Sequence, residues 1–166
     1  MTVTHTTIAS PVGDLTLVAS DGALTGVYFP GHRHGPDVGT FGERDDGVFA
    51  QAVRQLSEYF ASERTRFDLP LAPRGDAFQQ KVWMLLRDIP YGQTRNYGQL
   101  AASLGDRNLA RAVGAANARN PLSIIVPCHR VIGSDGNLVG YAGGLDRKRF
   151  LLALEEPDEV KAARLF

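Results

Sequence analysis

The run Ile124-Ile125-Val126-Pro127-Cys128-His129-Arg130-Val131-Ile132-Gly133 holds the only cysteine of this 166-residue chain and limits what can be built around it. Its apolar start has strand character, and Pro127, which lacks a backbone N–H, cannot sit inside a paired ladder. The pattern therefore predicts a central strand that delivers the Cys128 thiol to a turn at the strand's end. His129 and Arg130 follow at once, so a proton acceptor and a cation flank a thiol whose reactive form is the thiolate. A small buried hydrophobe is the competing reading, since free cysteines are among the most buried residues. One cysteine within these 166 residues excludes an internal disulfide and a multi-cysteine zinc site.

A hydrophobic content of 43% is enough for the core of one ordinary domain or two small ones. No apolar run approaches the ~20 residues that span a bilayer. Met1 to His5 has neither the basic region nor the apolar core of a secretory signal, so a cytoplasmic protein without a membrane partner is expected. A formal charge of zero argues against a nucleic-acid partner, because affinity for one comes largely from neutralising phosphates. The distribution argues the other way. Residues 1–76 hold six Lys and Arg against ten Asp and Glu, whereas residues 107–149 hold seven against two, and the basic stretch is the one with the cysteine. A solvated charged face would look the same.

Thr4 to Ser10 alternates, Pro11-Val12-Gly13 turns, Asp14 to Ser20 reads as a strand, and Asp21-Gly22 is a hairpin dipeptide before Leu24 to Phe29. A small antiparallel meander follows from this. Residues 30–47, with five glycines and the pair His32 and His34, read as a mobile loop, and two histidines with no cysteine nearby do not compose a metal site. Val48 to Ala61 is predicted to be an amphipathic helix capped by Asp45 or Asp46, with Phe49, Ala52, Val53, Leu56, Tyr59 and Phe60 on one face. Arg66 to Leu71 is extended, and Ala72 to Gly75 is a linker. Nothing before residue 76 suggests chemistry.

Asp76 and Gln79 form a capping box for a helix that buries Phe78, Val82, Leu85, Leu86 and Ile89, with Trp83 assigned to the core. Pro90-Tyr91-Gly92 stops it. Asn96 then caps Tyr97 to Leu104, Gly105 supplies a left-handed end, and Asn108 to Ala118 forms another helix. Two helices around a Gly turn match the helix-turn-helix pattern, which also occurs as plain packing. The second helix is nearly free of bulk, so it can approach either a partner inside the protein or a nucleic acid, and Arg111 favours the latter because a long cation on a smooth surface can enter a groove or a gap in a base stack. Ser134 to Asn137 reads as a hairpin turn and Tyr141 to Gly144 as a loop with accessible backbone N–H groups. A last helix runs from Asp146 to Glu156 with Phe150, Leu151 and Leu154 toward the core.

The string Val126 to Gly133 resembles the active-site signature of the O6-alkylguanine-DNA alkyltransferases. Ile89-Pro90-Tyr91-Gly92, Asn96-Tyr97, Ala110 to Gly114, Asn120-Pro121, Tyr141 to Gly144 and Leu151 to Glu155 match that family in order and spacing, over roughly residues 76 to 156. The first 75 residues match more weakly, through Ser10 to Gly13. The resemblance implies an α/β chain, with an N-terminal antiparallel sheet plus helix of ribonuclease H-like type over residues 1–72. A mostly helical winged-helix or helix-turn-helix domain would follow over 76–157, then a tail over 158–166. It implies direct, irreversible transfer of an alkyl group from O6-alkylguanine in duplex DNA to Cys128, with O4-alkylthymine as a second candidate lesion and with no cofactor or metal. Glu155 would orient His129, which would take the thiol proton through a water, and Tyr97 would donate to guanine N3. Arg111 would fill the space left by a flipped nucleotide. Tyr97, Gly98, Asn108, Arg119 and Ser134 would join it on the DNA, and Asn120, Val131, Tyr141, Ala142 and Gly143 would form the pocket. Many relatives have serine where this chain has Ala142, which leaves the main-chain N–H there as the O6 donor.

Two other readings stay open on the residues alone. A cysteine hydrolase would use Cys128 and His129 but needs an oxyanion hole and turnover. A non-catalytic DNA-binding protein would tolerate loss of Cys128.

Overall fold

The computed structural model describes residues 2–31, 38–136, 138 and 140–163. Strands β1 (Val3–Ile8), β2 (Leu15–Ser20) and β3 (Ala23–Tyr28) form the expected antiparallel meander, in which Thr6 faces Leu17 and Leu17 faces Val27. Asp21 and Gly22 both take positive φ, 51° and 85°, as a tight turn between β2 and β3 requires. The sheet is not purely antiparallel. A two-residue strand β4 (Glu43–Arg44) pairs in parallel with β1, giving the order β3-β2-β1-β4. It rises from the segment read as a loop, and two exposed charged residues carry no period-two signal. His32 and His34 lie outside the described residues.

Asp45 caps a 3₁₀ turn over Asp46–Phe49, which continues into α1 (Ala50–Phe60). Turn and helix together bury Phe49, Ala52, Leu56 and Tyr59. The extended segment after it closes on β3's start, where Leu24 N–H donates to the Pro70 carbonyl and Ala72 N–H to the Leu24 carbonyl.

Helix α2 (Ala77–Arg87) starts with the full Asp76/Gln79 capping box, and α3 (Tyr97–Ser103) with the matching Asn96/Gln99 box. Gly105, at φ 94°, ends α3, and Asp106 caps a 3₁₀ turn leading into α4 (Ala110–Ala118). Trp83 is core, as its flanking apolar residues suggest, and its Nε1 donates to the Ala116 carbonyl at 2.9 Å, tying α2 to α4. Two short strands, β5 (Arg95–Asn96) and β6 (Val131–Ile132), pair in parallel. Chain order ends with α5 (Leu145–Leu154) and α6 (Asp158–Ala163), the latter in a segment whose sequence carried no signal.

Two expectations fail here. Residues 122–126 are not a strand but a buried turn. The turn expected over Ser134 to Asn137 is present as far as Gly136, whose N–H donates to the Gly133 carbonyl, and Asn137 lies outside the described residues. On α5, Phe150 is exposed while Lys148 is fully buried. One cluster of buried side chains runs through both halves, from Leu17 and Tyr59 to Leu86, Val113 and Leu151. Among the described residues no helix is long and apolar enough to cross a membrane.

Candidate active site

The cysteine is positioned by a turn that polar side chains hold. Asn120 accepts from Leu122 N–H at 3.0 Å and donates to the Val126 carbonyl at 2.8 Å, so one amide brackets the whole reversal. Ile124, at φ 74°, sits in the left-handed region, a cost of ~1–3 kcal/mol that persists only where the surroundings over-determine it. That conformation is what prevents a strand. Cys128 then opens a 3₁₀ turn over Cys128–Arg130, 4% exposed, and β6 follows directly. Because β6 pairs with β5, and α3 starts on the residue after β5, Tyr97 is brought beside Cys128. Burial and the nearby sulfur both raise the Tyr97 phenol, which keeps its proton at neutral pH.

Behind the thiol lies a buried carboxylate with four donors. Glu155, at the C-terminus of α5, is 2% exposed. His129 Nε2 lies 2.6 Å from its Oε2, Arg130 Nε donates to Oε1 at 2.7 Å and Arg130 Nη2 to Oε2 at 3.1 Å. The Tyr59 hydroxyl, from α1, also donates to Oε2. Burial alone would raise the Glu155 carboxyl, but the hydrogen bond and charge of His129, and then those of Arg130, hold it at about 2. An ionised Glu155 assigns the proton to His129 Nε2 and leaves the lone pair on Nδ1, for which the described residues supply no partner. Arg130 is thus spent on Glu155 and on the Ile89 carbonyl, at 2.6 Å, and does not flank the sulfur as its sequence position suggested. Burial pushes the Cys128 thiol up, against Asn120 and Lys148, and burial pushes the His129 imidazole down, against Glu155. The resting pair is therefore a neutral thiol and a neutral imidazole.

The pocket residues gather at the same place. Val131 is fully buried, Tyr141 is nearly so, and Ala142 is half-buried beside it. Gly143 admits no side chain, since a Cβ there would sit 2.4 Å from the Phe29 ring. The Cys128 and Val131 carbonyls are not bare: the first accepts from Val131 N–H and from Asn117 Nδ2 at 3.5 Å, and the second from Lys148 Nζ at 2.5 Å. On α4, Val113, Ala116 and Asn117 face inward while Arg111, Ala112 and Ala115 are exposed, so part of the smooth surface faces outward with Arg111. Asn108 and Ser134 are exposed and Gly98 is half-buried in the first turn of α3. Arg119 is set apart. It lies at the C-terminal end of α4 and lines a cleft with Val3, Tyr28 and Arg74 of the N-terminal half.

The sequence reading passed over Lys148, Tyr59 and Asn117. Lys148, Leu151 and Glu155 recur at helical spacing, so the buried stripe of α5 carried its own signal. Burial lowers the Lys148 ammonium to about 8. Tyr59 had no signal beyond its place on an apolar helix face.

The family described as 6-O-methylguanine DNA methyltransferase, ribonuclease-like domain, matches residues 3–73, and that described as 6-O-methylguanine DNA methyltransferase, DNA binding domain, matches residues 77–157. A methylated-DNA–protein-cysteine methyltransferase of Mycolicibacterium paratuberculosis is 48% identical over 164 residues, covering 99% of each chain. One from Mycobacterium tuberculosis is 51% identical over 152 residues, covering 92% of each. The crystal structure of Mycobacterium tuberculosis OGT in complex with DNA superposes with a TM-score of 0.88 at 51% identity, over 92% of both chains.

Proposed function

The chain belongs to the 6-O-methylguanine DNA methyltransferase family, and from that premise we propose that it repairs duplex DNA by moving the alkyl group of O6-alkylguanine onto Cys128. It is an enzyme that methylates its own cysteine, and DNA is its partner. The observation that carries the residue assignment is the buried Cys128–His129–Glu155 series with Tyr97 beside the sulfur. His129 Nδ1 takes the thiol proton through a bridging water, and the ionised Glu155 stabilises the imidazolium. Sγ then attacks the saturated carbon, the S–C bond forms and the C–O6 bond breaks. The Tyr97 hydroxyl gives its hydrogen bond to N3 as guanine leaves with the bonding pair.

The base is unreachable in a stacked duplex and must be flipped out, at a cost of about a few kcal/mol. Arg111, exposed on α4, occupies the gap, and Asn108, Gly98 and Ser134 contact the strand around it. The flipped base enters between Tyr141, Ala142, Gly143 and Val131. Asn120 shapes the cysteine turn. The thioether product has no residue to cleave it, so each molecule acts once. We assign this chemistry to a unit over residues 76–157, joined to a first unit over 1–72 and a tail over 158–166. A thiol that must stay reduced places it in the cytoplasm.

Intact mass after mixing with a duplex containing O6-methylguanine tests the reading. The protein gains one methyl group, at Cys128, with one lesion consumed per molecule and no metal or cofactor added. A label elsewhere, or repair beyond one equivalent, contradicts it.

A further inference from the structure

The mechanism above leaves one donor on Glu155 without a role. Tyr59 is fully buried in α1, in the half of the chain that carries no reacting group. Its ring is held edge-on against Phe60 at 5.4 Å and Tyr91 at 6.2 Å, and tilted against Phe67 at 5.4 Å. A phenol needs no carboxylate for such packing; a phenylalanine would fill the same space. Its hydroxyl nevertheless ends on Glu155 Oε2, the oxygen that also accepts from His129 Nε2.

We propose that Tyr59 is a positioning residue for alkyl transfer, whose hydroxyl shares Glu155 Oε2 with His129 and so sets both the orientation and the basicity of the imidazole that receives the Cys128 proton. The inference rests on the alkyl-transfer reading above. Two donors on one oxygen divide its charge, and a neutral donor that takes part of it weakens the pull of the carboxylate on the imidazolium. Tyr59 keeps its proton throughout the accessible range, because burial and then Glu155 raise its phenol far above its ordinary value. The donation is therefore constant with pH. The other groups facing this pair are Arg130 of the same turn as His129, Tyr91 after α2, Tyr141 of the pocket loop and Lys148 of α5. Of the cations, Arg130 and Lys148 both lower the imidazole, against Glu155. Loss of the Tyr59 hydroxyl leaves more of the carboxylate's charge to His129, whose basicity rises, so the protonated and inactive imidazole persists to higher pH.

The test is the rate of Cys128 benzylation by free O6-benzylguanine against pH, in the wild type and in Tyr59→Phe, with a melting curve on each. Phe67→Leu serves as a control, because it loosens the same ring cluster without touching Glu155. Tyr59→Phe is expected to move the acidic limb upward by about half a pH unit or more, the size of shift that one hydrogen bond to a charged partner produces, and to slow the plateau rate several-fold. The His129 ring titration, followed by NMR, should rise by the same amount. Phe67→Leu should lower the melting temperature and leave the limb in place. A Tyr59→Phe profile and ring titration that superimpose on the wild type overturn the proposal, and so does an equal limb shift in Phe67→Leu. If a duplex containing O6-methylguanine leaves Cys128 of the wild type unmethylated, the alkyl-transfer reading fails, and this inference with it.

Discussion

The two halves of the chain bury polar groups for opposite ends. Among the described residues of 3–73 the buried polar side chains other than Tyr59 are Thr6 and Gln55, and both are matched within their own half. Thr6 donates to Asp46 at 2.6 Å, and the Gln55 amide exchanges both of its bonds with the Asp68 backbone at 3.0 and 2.9 Å. Residues 77–157 bury Asn117, Asn120, Ser123, His129, Arg130, Lys148 and Glu155 around one cysteine. Among the described residues, the buried side-chain atoms without a hydrogen bond of good geometry, Asn117 Oδ1, Ser123 Oγ, His129 Nδ1 and Tyr141 Oη, all lie in that half. A protein interior leaves few such atoms, and here they gather in the half that carries the cysteine. The first half supplies the brace. Phe29 packs on Tyr141 at 5.7 Å, and Arg147, over the Phe29 ring at 5.2 Å, bonds the Val12 carbonyl at 2.7 Å and the Gly143 carbonyl at 3.0 Å. The pocket loop is thereby pinned to the N-terminal turn.

Breaking the polar half should have the largest effect. Glu155→Gln strands Arg130 in the interior, which costs ~3–5 kcal/mol, and it removes the relay, which slows transfer to Cys128 by roughly 100-fold. Both duplex and free O6-benzylguanine should slow alike, and a melting curve reads the stability loss. The acid response separates the wild type from Glu155→Gln further. Glu155 is at about 2 in the fold against 4.5 ordinarily, so the unfolded chain binds more protons between those values. Its contribution is full above that window and is lost as pH falls through it, whereas Glu155→Gln should show no such loss. Coincident acid-unfolding curves would mean that Glu155 is not held as an anion.

Arg111→Ala comes next and should touch only the encounter with DNA. Stability should change by no more than ~0.5 kcal/mol for an exposed residue, while repair of a duplex lesion slows by about 10-fold or more because the extruded base loses its stand-in. Reaction with the free base should be unchanged. Equal losses on both substrates would place Arg111 outside the gap.

A smaller effect is expected at the brace. Phe29→Leu removes the ring beneath Arg147 and beside Tyr141, a loss of ~1 kcal/mol. Steady loosening of the pocket loop should appear as a several-fold weaker dependence on O6-benzylguanine concentration, with the maximal rate and its pH profile kept. A shifted pH profile would show that the first half reaches the relay through Phe29 as well as through Tyr59.

The smallest effect concerns salt. Of the seven cations in residues 107–149, Arg130 and Lys148 are interior and Arg147 is tied to backbone, which leaves Arg107, Arg111, Arg119 and Arg149 exposed. Log–log plots of duplex affinity against salt should therefore slope nearer about −3 than −6. A slope near zero would remove the exposed arginines from the DNA contact.

Local signals were readable wherever the chain's neighbours along the sequence supply the forces. The Asp76/Gln79 box, the Asn96 cap, the Asp21-Gly22 turn, the apolar face of α1 and the helix pair α3–α4 depend on residues at most a few positions apart, and the sequence determined each of them. Cys128 and His129 were legible as adjacent chemistry for the same reason. What tertiary structure decided depends on partners far along the chain. An apolar run such as 122–126 is compatible with a strand until Asn120 folds it back and Ile124 takes φ 74°, and no periodicity records that. A charge also does not declare its partner. Arg130 reads as a neighbour of the thiol, but a buried guanidinium must find a carboxylate, and Glu155 lies 25 residues away. Tyr59 is 96 residues from Glu155, and only the docking of the first half onto the second turns a ring on an apolar helix face into a donor at the active centre.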